Sequence, residues 1–112
     1  MKLKHFNLSF GIQIFKSFSD DSRTRILHLL FRTGELSISD LVTILDFTQT
    51  KTSRHMAFLK NAGMVSSRKK DQWILYSLRE ESYDMVDLIF GFLEKDSQLK
   101  ADIERYESER PA

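Results

Sequence analysis

The chain contains no cysteine. Disulfides, thiolate metal ligands and thiol redox switching are therefore outside its chemistry. Its four glycines, at 11, 34, 63 and 91, are too scattered to build a phosphate-cradling loop, and no Ser-His-Asp pattern marks a nucleophilic site. No run approaches the ~18 apolar residues of a membrane-spanning helix, and residues 1–8 carry neither a long apolar core nor a small-residue cleavage site. These absences lead us to expect a cytoplasmic protein that is not an enzyme, needs no cofactor and has no membrane partner.

Acids are missing from one stretch in particular. Residues 48–70 hold Lys51, Arg54, Lys60, Arg68, Lys69 and Lys70 and not one Asp or Glu. Between Glu80 and Glu109 the balance reverses, with ten acids against Lys95, Lys100 and Arg105. A basic middle beside an acidic end gives one face an affinity for polyanions while the overall charge stays at +1. At 112 residues the chain reads as one domain over 1–112, small enough that association with a second copy would help it.

Periodicity supplies the elements. Leu8, Ile12, Phe15 and Phe18 fall at helical spacing and end near Ser19 or Asp20. Ser22–Phe31 follows a cap-rich Ser19-Asp20-Asp21, places Ile26, Leu27 and Leu30 on one stripe, and stops before Gly34. Ser37 or Ser39 caps a short third helix with Leu41, Val42 and Leu45 inward. Thr48 caps a fourth, which ends at Asn61-Ala62-Gly63. Beyond Gly63 the pattern changes to two short stretches, Val65–Lys69 and Trp73–Leu78, which predict a β-hairpin with Asp71 in a left-handed turn position. The remainder predicts one long helix, with Met85, Ile89, Phe92, Leu99, Ile103 and Tyr106 on a seam broken only by Asp96.

The fourth helix carries the chemistry. Thr52, Met56 and Leu59 share its inner face, while Gln49, Thr50, Ser53, Arg54 and Lys60 lie away from it. Gln pairs with adenine edges and Arg with guanine edges, Ser and Thr serve base or phosphate, and an acid would be repelled by phosphates. The expected DNA-contacting set is Gln49, Thr50, Lys51, Ser53, Arg54, His55 and Lys60, joined by Arg68, Lys69 and Lys70 from the hairpin. A short helix, a tight turn, a polar helix and a basic hairpin make a mainly α winged helix-turn-helix: four helices, a two-stranded wing and a long C-terminal helix. Apolar surplus on Phe10, Ile14, Phe15, Met85, Ile89, Phe90, Phe92 and Leu99 predicts a homodimer through the first and last helices.

Three segments also resemble a known family. Phe18–Leu27 is similar to the "L-(A/S)-D-P-T-R-L-R-I-L" opening of the ArsR family of bacterial transcriptional repressors. Phe47–Met56 with Leu59–Val65 resembles its "L-S-Q-S-T-V-S-R-H-L" recognition segment and the "A-G-L-V" that follows, and Trp73–Leu78 resembles its second wing strand "R-V-Y-Y-S-L". The resemblance spans about residues 10–95 without a gap. It implies a dimeric repressor on a palindromic operator in double-stranded DNA.

Departures from that pattern bear on sensing. Metal sensors of the family often carry "E-L-C-V-C-D-L" where this chain has Glu35-Leu36-Ser37-Ile38-Ser39-Asp40-Leu41, and a neutral hydroxyl is a poor ligand for soft metals. Other members use Asp and His from the last helix, but residues 80–112 contain no His. We therefore expect no metal site and no response to zinc, cadmium or arsenite, although a carboxylate site at Asp84 and Asp87, with His5 or His28, stays open. The effector is unknown: an organic ligand, a partner protein and the repressor's own concentration are equally compatible. His28 reads as a packing residue inside the second helix, and His55 either as a phosphate contact or as a prop between helices. In the wing, Asp71-Gln72-Trp73 stands where the family has Gly-Arg-Arg, leaving minor-groove contact to Arg68, Lys69 and Lys70. A winged helix used as a protein-interaction or architectural module is the alternative reading. The base-reading set on the fourth helix speaks against it.

Overall fold

The computed structural model describes residues 6–109, so His5 lies outside the described residues. Within them the order is α1 (Leu8–Phe18), α2 (Asp21–Thr33), α3 (Ile38–Leu45), α4 (Gln49–Asn61), β1 (Val65–Lys70), β2 (Trp73–Leu78), α5 (Glu80–Phe92) and α6 (Ser97–Glu109). No helix among the described residues is long and apolar enough to cross a membrane.

Each early helix is started by a side chain that satisfies an orphan backbone N–H. The Asn7 side chain accepts from the Phe10 backbone at 2.8 Å, Asp20 from Arg23 at 3.0 Å and Thr48 from Lys51 at 3.1 Å. Ser37 and Asp40 form a reciprocal capping box on α3. The turn into α4 begins at Asp46, whose φ of 57° ends α3 in the left-handed region. At the other end of α4, Gly63 has φ 80°, and a Cβ there would stand 3.2 Å from Cε1 of Phe10. Any side chain at 63 would meet both backbone strain and that ring.

α2 is the element on which the others pack: α1, α4, α5, α6 and β2 all lie against it. Ile26, Leu27, Leu29 and Leu30 are fully buried, with Leu41, Met56, Leu59, Met64, Val65 and Val86 arriving from the surrounding elements. At about 1.5–3 kcal/mol for each large apolar side chain removed from water, this cluster is the main source of stability. The strands pair antiparallel from Val65 opposite Leu78 to Lys70 opposite Trp73, around a two-residue turn with Asp71 at φ 56°. Leu36 adds a one-residue bridge to Tyr76, tying the hairpin to the α2–α3 connection.

The C-terminal region departs from the expected single helix. It is two helices, broken after Phe92 and restarted where the Asp96 carboxylate accepts from the Leu99 backbone at 3.0 Å. The residue that interrupts the heptad pattern is the cap of the next helix. α6 then folds back on α2 and α3, so Leu99, Ile103 and Tyr106 face the chain's own core. The dimer set is corrected accordingly: Ile14, Phe90 and Leu99 are at most 5% exposed, having already buried their area inside the chain. Phe10, Met85 and Ile89 are half-buried, whereas Phe15 and Phe92 remain 73% and 82% exposed.

An ion pair to α2 fastens α6. Arg25 on α2 donates from Nε and Nη2 to both oxygens of Asp102, each at 2.9 Å, and Gln98 donates to the same carboxylate at 3.1 Å. Asp102→Ala leaves the guanidinium without its partner. We expect a loss of about 2 kcal/mol, below the range for a wholly buried pair because the Arg25 side chain is 22% exposed, read as a shift in the urea midpoint.

His28 supplies a second expectation. It is buried on α2, edge-on to Phe90 at 4.9 Å, and its Nδ1 has no hydrogen-bond partner. Burial, reinforced by the Arg32 charge and opposed by Asp102 and Asp96, holds the imidazole below its ordinary value of 6.5. The unfolded chain then binds the proton more readily. The stability contributed by neutral His28 is complete above about pH 6.5 and is lost as pH falls from there toward the lower folded value. His28→Leu should lose less thermal midpoint between about pH 7.5 and pH 5.5 than the native chain.

Candidate nucleic-acid interface

α4 presents two chemically different faces. Thr52, His55, Met56 and Leu59 are buried, with the Thr52 hydroxyl donating to the Thr48 carbonyl at 2.8 Å. Gln49, Thr50, Arg54 and Lys60 are exposed, and Lys51 and Ser53 are half-buried at the margin. The apolar anchoring fixes the helix; the polar side chains are left in water. Two cation–π contacts brace its ends: the Lys51 ammonium lies 4.1 Å from the Phe47 ring centroid, and the Arg23 guanidinium of α2 lies 4.1 Å from that of Phe58.

His55 does not belong on the outer face. It is buried, and burial pushes its imidazole below 6.5 against the pull of the Asp20 carboxylate, with Arg23, Arg54 and Lys51 adding to the depression. The effect on Asp20 is reciprocal. Burial raises its carboxyl, but the Arg23 N–H, the neighbouring His55 and Arg23 charges and the Ser22 N–H outweigh this and hold it below 3.8. Of the two readings offered by the sequence, the geometry matches the prop between α4 and the start of α2. As a phosphate contact His55 is corrected, because a ring left only 7% exposed is out of a phosphate's reach.

The hairpin continues the basic surface. Lys60 at the end of α4 donates to the Ser67 hydroxyl on β1 at 2.8 Å, joining helix and wing. Lys69 and Lys70 are exposed at the tip. Arg68 is differently placed: Nε and Nη2 each donate to Glu35 at 2.7 Å, and this pairing holds the Glu35 carboxyl below its ordinary value. Residue type alone could not show this, because the partners are 33 residues apart. Among the described residues no three His, Asp or Glu side chains converge in a way that could hold a metal ion. The hydroxyl of Ser37, at one of the two positions where the family resemblance would place cysteine, is committed to capping α3.

The arrangement is a tight turn between two helices, a second helix with an acid-free outer face, and a basic hairpin behind it. Comparisons with known proteins agree. The family described as "Bacterial regulatory protein, arsR family" matches residues 20–67. The chain is 42% identical over 74 residues to the arsenic resistance transcriptional regulator ArsR1 of Pseudomonas putida, a match covering 66% of this chain but only 58% of that relative's length. It is 38% identical over 90 residues to the regulator ArsR2 of the same organism, covering 80% of this chain and 78% of the relative. In three dimensions it is similar to the homodimeric winged helix-turn-helix DNA-binding domain Mb0332 of Mycobacterium bovis, with a TM-score of 0.71 and 22% identity over 79% of this chain and 82% of that one. Sequence pattern, geometry and relatives converge: the chain is a winged helix-turn-helix protein of the ArsR family of bacterial transcriptional regulators, a family and fold of DNA-binding regulators, not enzymes.

Proposed function

We propose that this chain is a cytoplasmic transcriptional repressor that binds a palindromic operator as a homodimer and does so without a thiolate metal site. The observation that carries the reading is the outer face of α4, where Gln49, Thr50 and Arg54 stand exposed in a stretch of 23 residues lacking any acid. In the major groove, Arg54 and Gln49 supply bidentate donors and acceptors for base edges, with Thr50 and Ser53 beside them. Lys51, Lys60, Lys69 and Lys70 neutralise phosphates and set the register. The dimer is supported by Phe15 on α1 and Phe92 on α5, large apolar side chains left in water, with Phe10, Met85 and Ile89 half-covered beside them, and by the homodimeric state of the Mycobacterium bovis neighbour.

Relatives named for arsenic resistance raise the question of arsenic sensing. With no cysteine in the chain, trivalent arsenic has no thiolate to bind. Release from DNA in this chain is assigned to a signal other than a soft metal.

The test is DNA binding by variants, followed by fluorescence anisotropy on a selected operator and on random duplex. Arg54→Ala should cost about 1–3 kcal/mol on the operator and little on random DNA, whereas Lys70→Ala should weaken both alike and reduce the salt slope by about one. An unchanged specificity ratio in Arg54→Ala would remove base readout from α4. Glu35→Gln is expected to act in the opposite direction. It removes a negative charge beside the wing and releases the Arg68 guanidinium, so affinity for random duplex should rise by about threefold with a steeper salt dependence.

A further inference from the structure

The tip of the hairpin holds two large apolar side chains in water on its most basic segment. Trp73 is 50% exposed and Ile74 is 51% exposed, while Arg68, Lys69 and Lys70 run consecutively on the strand opposite. In the ladder Lys70 stands across from Trp73 and Lys69 across from Ile74. Residues directly opposite in an antiparallel pair share a face, so each face of the tip offers one ammonium beside one apolar body. Neither apolar residue is spent on the core, which the hairpin meets through Val65, Leu78 and Tyr76. Exposed apolar side chains grouped in this way mark a contact surface.

We propose that Trp73 and Ile74 are the groove-filling, specificity-setting contacts of this wing in the minor groove of DNA, with Lys69 and Lys70 on the flanking phosphates. The inference rests on the DNA-binding reading above and adds a specificity element to it. The occupant is chosen by charge complementarity: with Arg68 held by Glu35, the two consecutive lysines Lys69 and Lys70 beside apolar surface match a groove walled by two phosphate rows and floored by base edges and sugars. Lysines on phosphates carry no sequence information, but an apolar side chain on the groove floor does. The guanine N2 amino group projects there, and covering it with an indole would strip its water without supplying an acceptor. The tip therefore favours base pairs lacking that group. This replaces the arginine-based wing readout that the sequence pattern of the family suggests with an apolar one.

Trp73 is the only tryptophan in the chain, so its emission reports on the tip alone. The experiment titrates the native protein at low salt with poly(dI-dC) and with poly(dG-dC), following binding separately through the anisotropy of end-labelled duplex. Inosine and guanine present the same major-groove edge and differ only by the minor-groove amino group. We expect Trp73 emission to be quenched by about half on poly(dI-dC) and much less on poly(dG-dC), as stacking or groove contact requires. Trp73→Ala should lose roughly tenfold in affinity for poly(dI-dC) and under about twofold for poly(dG-dC), with Trp73→Phe recovering most of the loss. Circular dichroism checks that both variants keep the native helical content. Binding with unchanged emission would place the tip away from DNA and overturn the proposal, as would equal quenching and equal losses on both duplexes. No anisotropy change with either duplex would instead bring down the DNA-binding reading itself, and the proposal with it.

Discussion

Everything in this molecule is positioned by the burial of α2. A helix with Ile26, Leu27, Leu29 and Leu30 all out of water must be covered on nearly every side, and five other elements supply the cover. That requirement holds α4 in place by its inner residues Thr52, Met56 and Leu59 and leaves its outer face to solvent. A helix pinned along one stripe is rigid without using the other, and a protein that reads a groove needs that condition. The same constraint accounts for the hairpin. It is stable because Val65, Tyr76 and Leu78 pack on the helices and Leu36 bridges its second strand, while its tip extends beyond the packed region.

Charge is distributed on this frame by segregation. The acid-free segment falls on α4 and β1, the elements whose polar side chains face outward, and the acidic residues fall on α5 and α6. Among the described residues, ion pairs join segments distant in sequence at two places. Arg25 and Asp102 join α2 to the acidic α6, and Arg68 and Glu35 hold the first strand of the wing to the connection after α2. The first pair is largely buried and contributes to stability; the second is exposed, and its importance lies in where it leaves the Arg68 charge.

Local rules made most of the fold legible in the sequence. Caps at Asp20, Ser37 and Thr48, the left-handed turn at Asp71 and the stop at Gly63 each depend on a few adjacent residues. What the sequence could not display were outcomes of tertiary packing. Asp96 looks like a flaw in a long heptad seam until α6 is seen folded back on α2 and α3, where the aspartate is a helix cap. Ile14, Phe90 and Leu99 resemble an intermolecular surface in a periodicity plot because periodicity cannot tell one chain's core from the seam between two. His55 occupies a helix face that borders both solvent and core, and only its burial in the folded chain decides between them. The pairing of Arg68 with Glu35 lies beyond any local pattern for the same reason.

The central claim is that α4 and the wing act in pairs on DNA with two-fold symmetry. Selection of high-affinity sites from a pool of randomised duplexes, with the purified native chain, tests it most directly. Two recognition helices related by a dyad predict enriched sequences that are inverted repeats, with half-sites about one helical turn or roughly 34 Å apart. Recovery of no common sequence, or of a single asymmetric half-site bound by one copy of the chain, would contradict it.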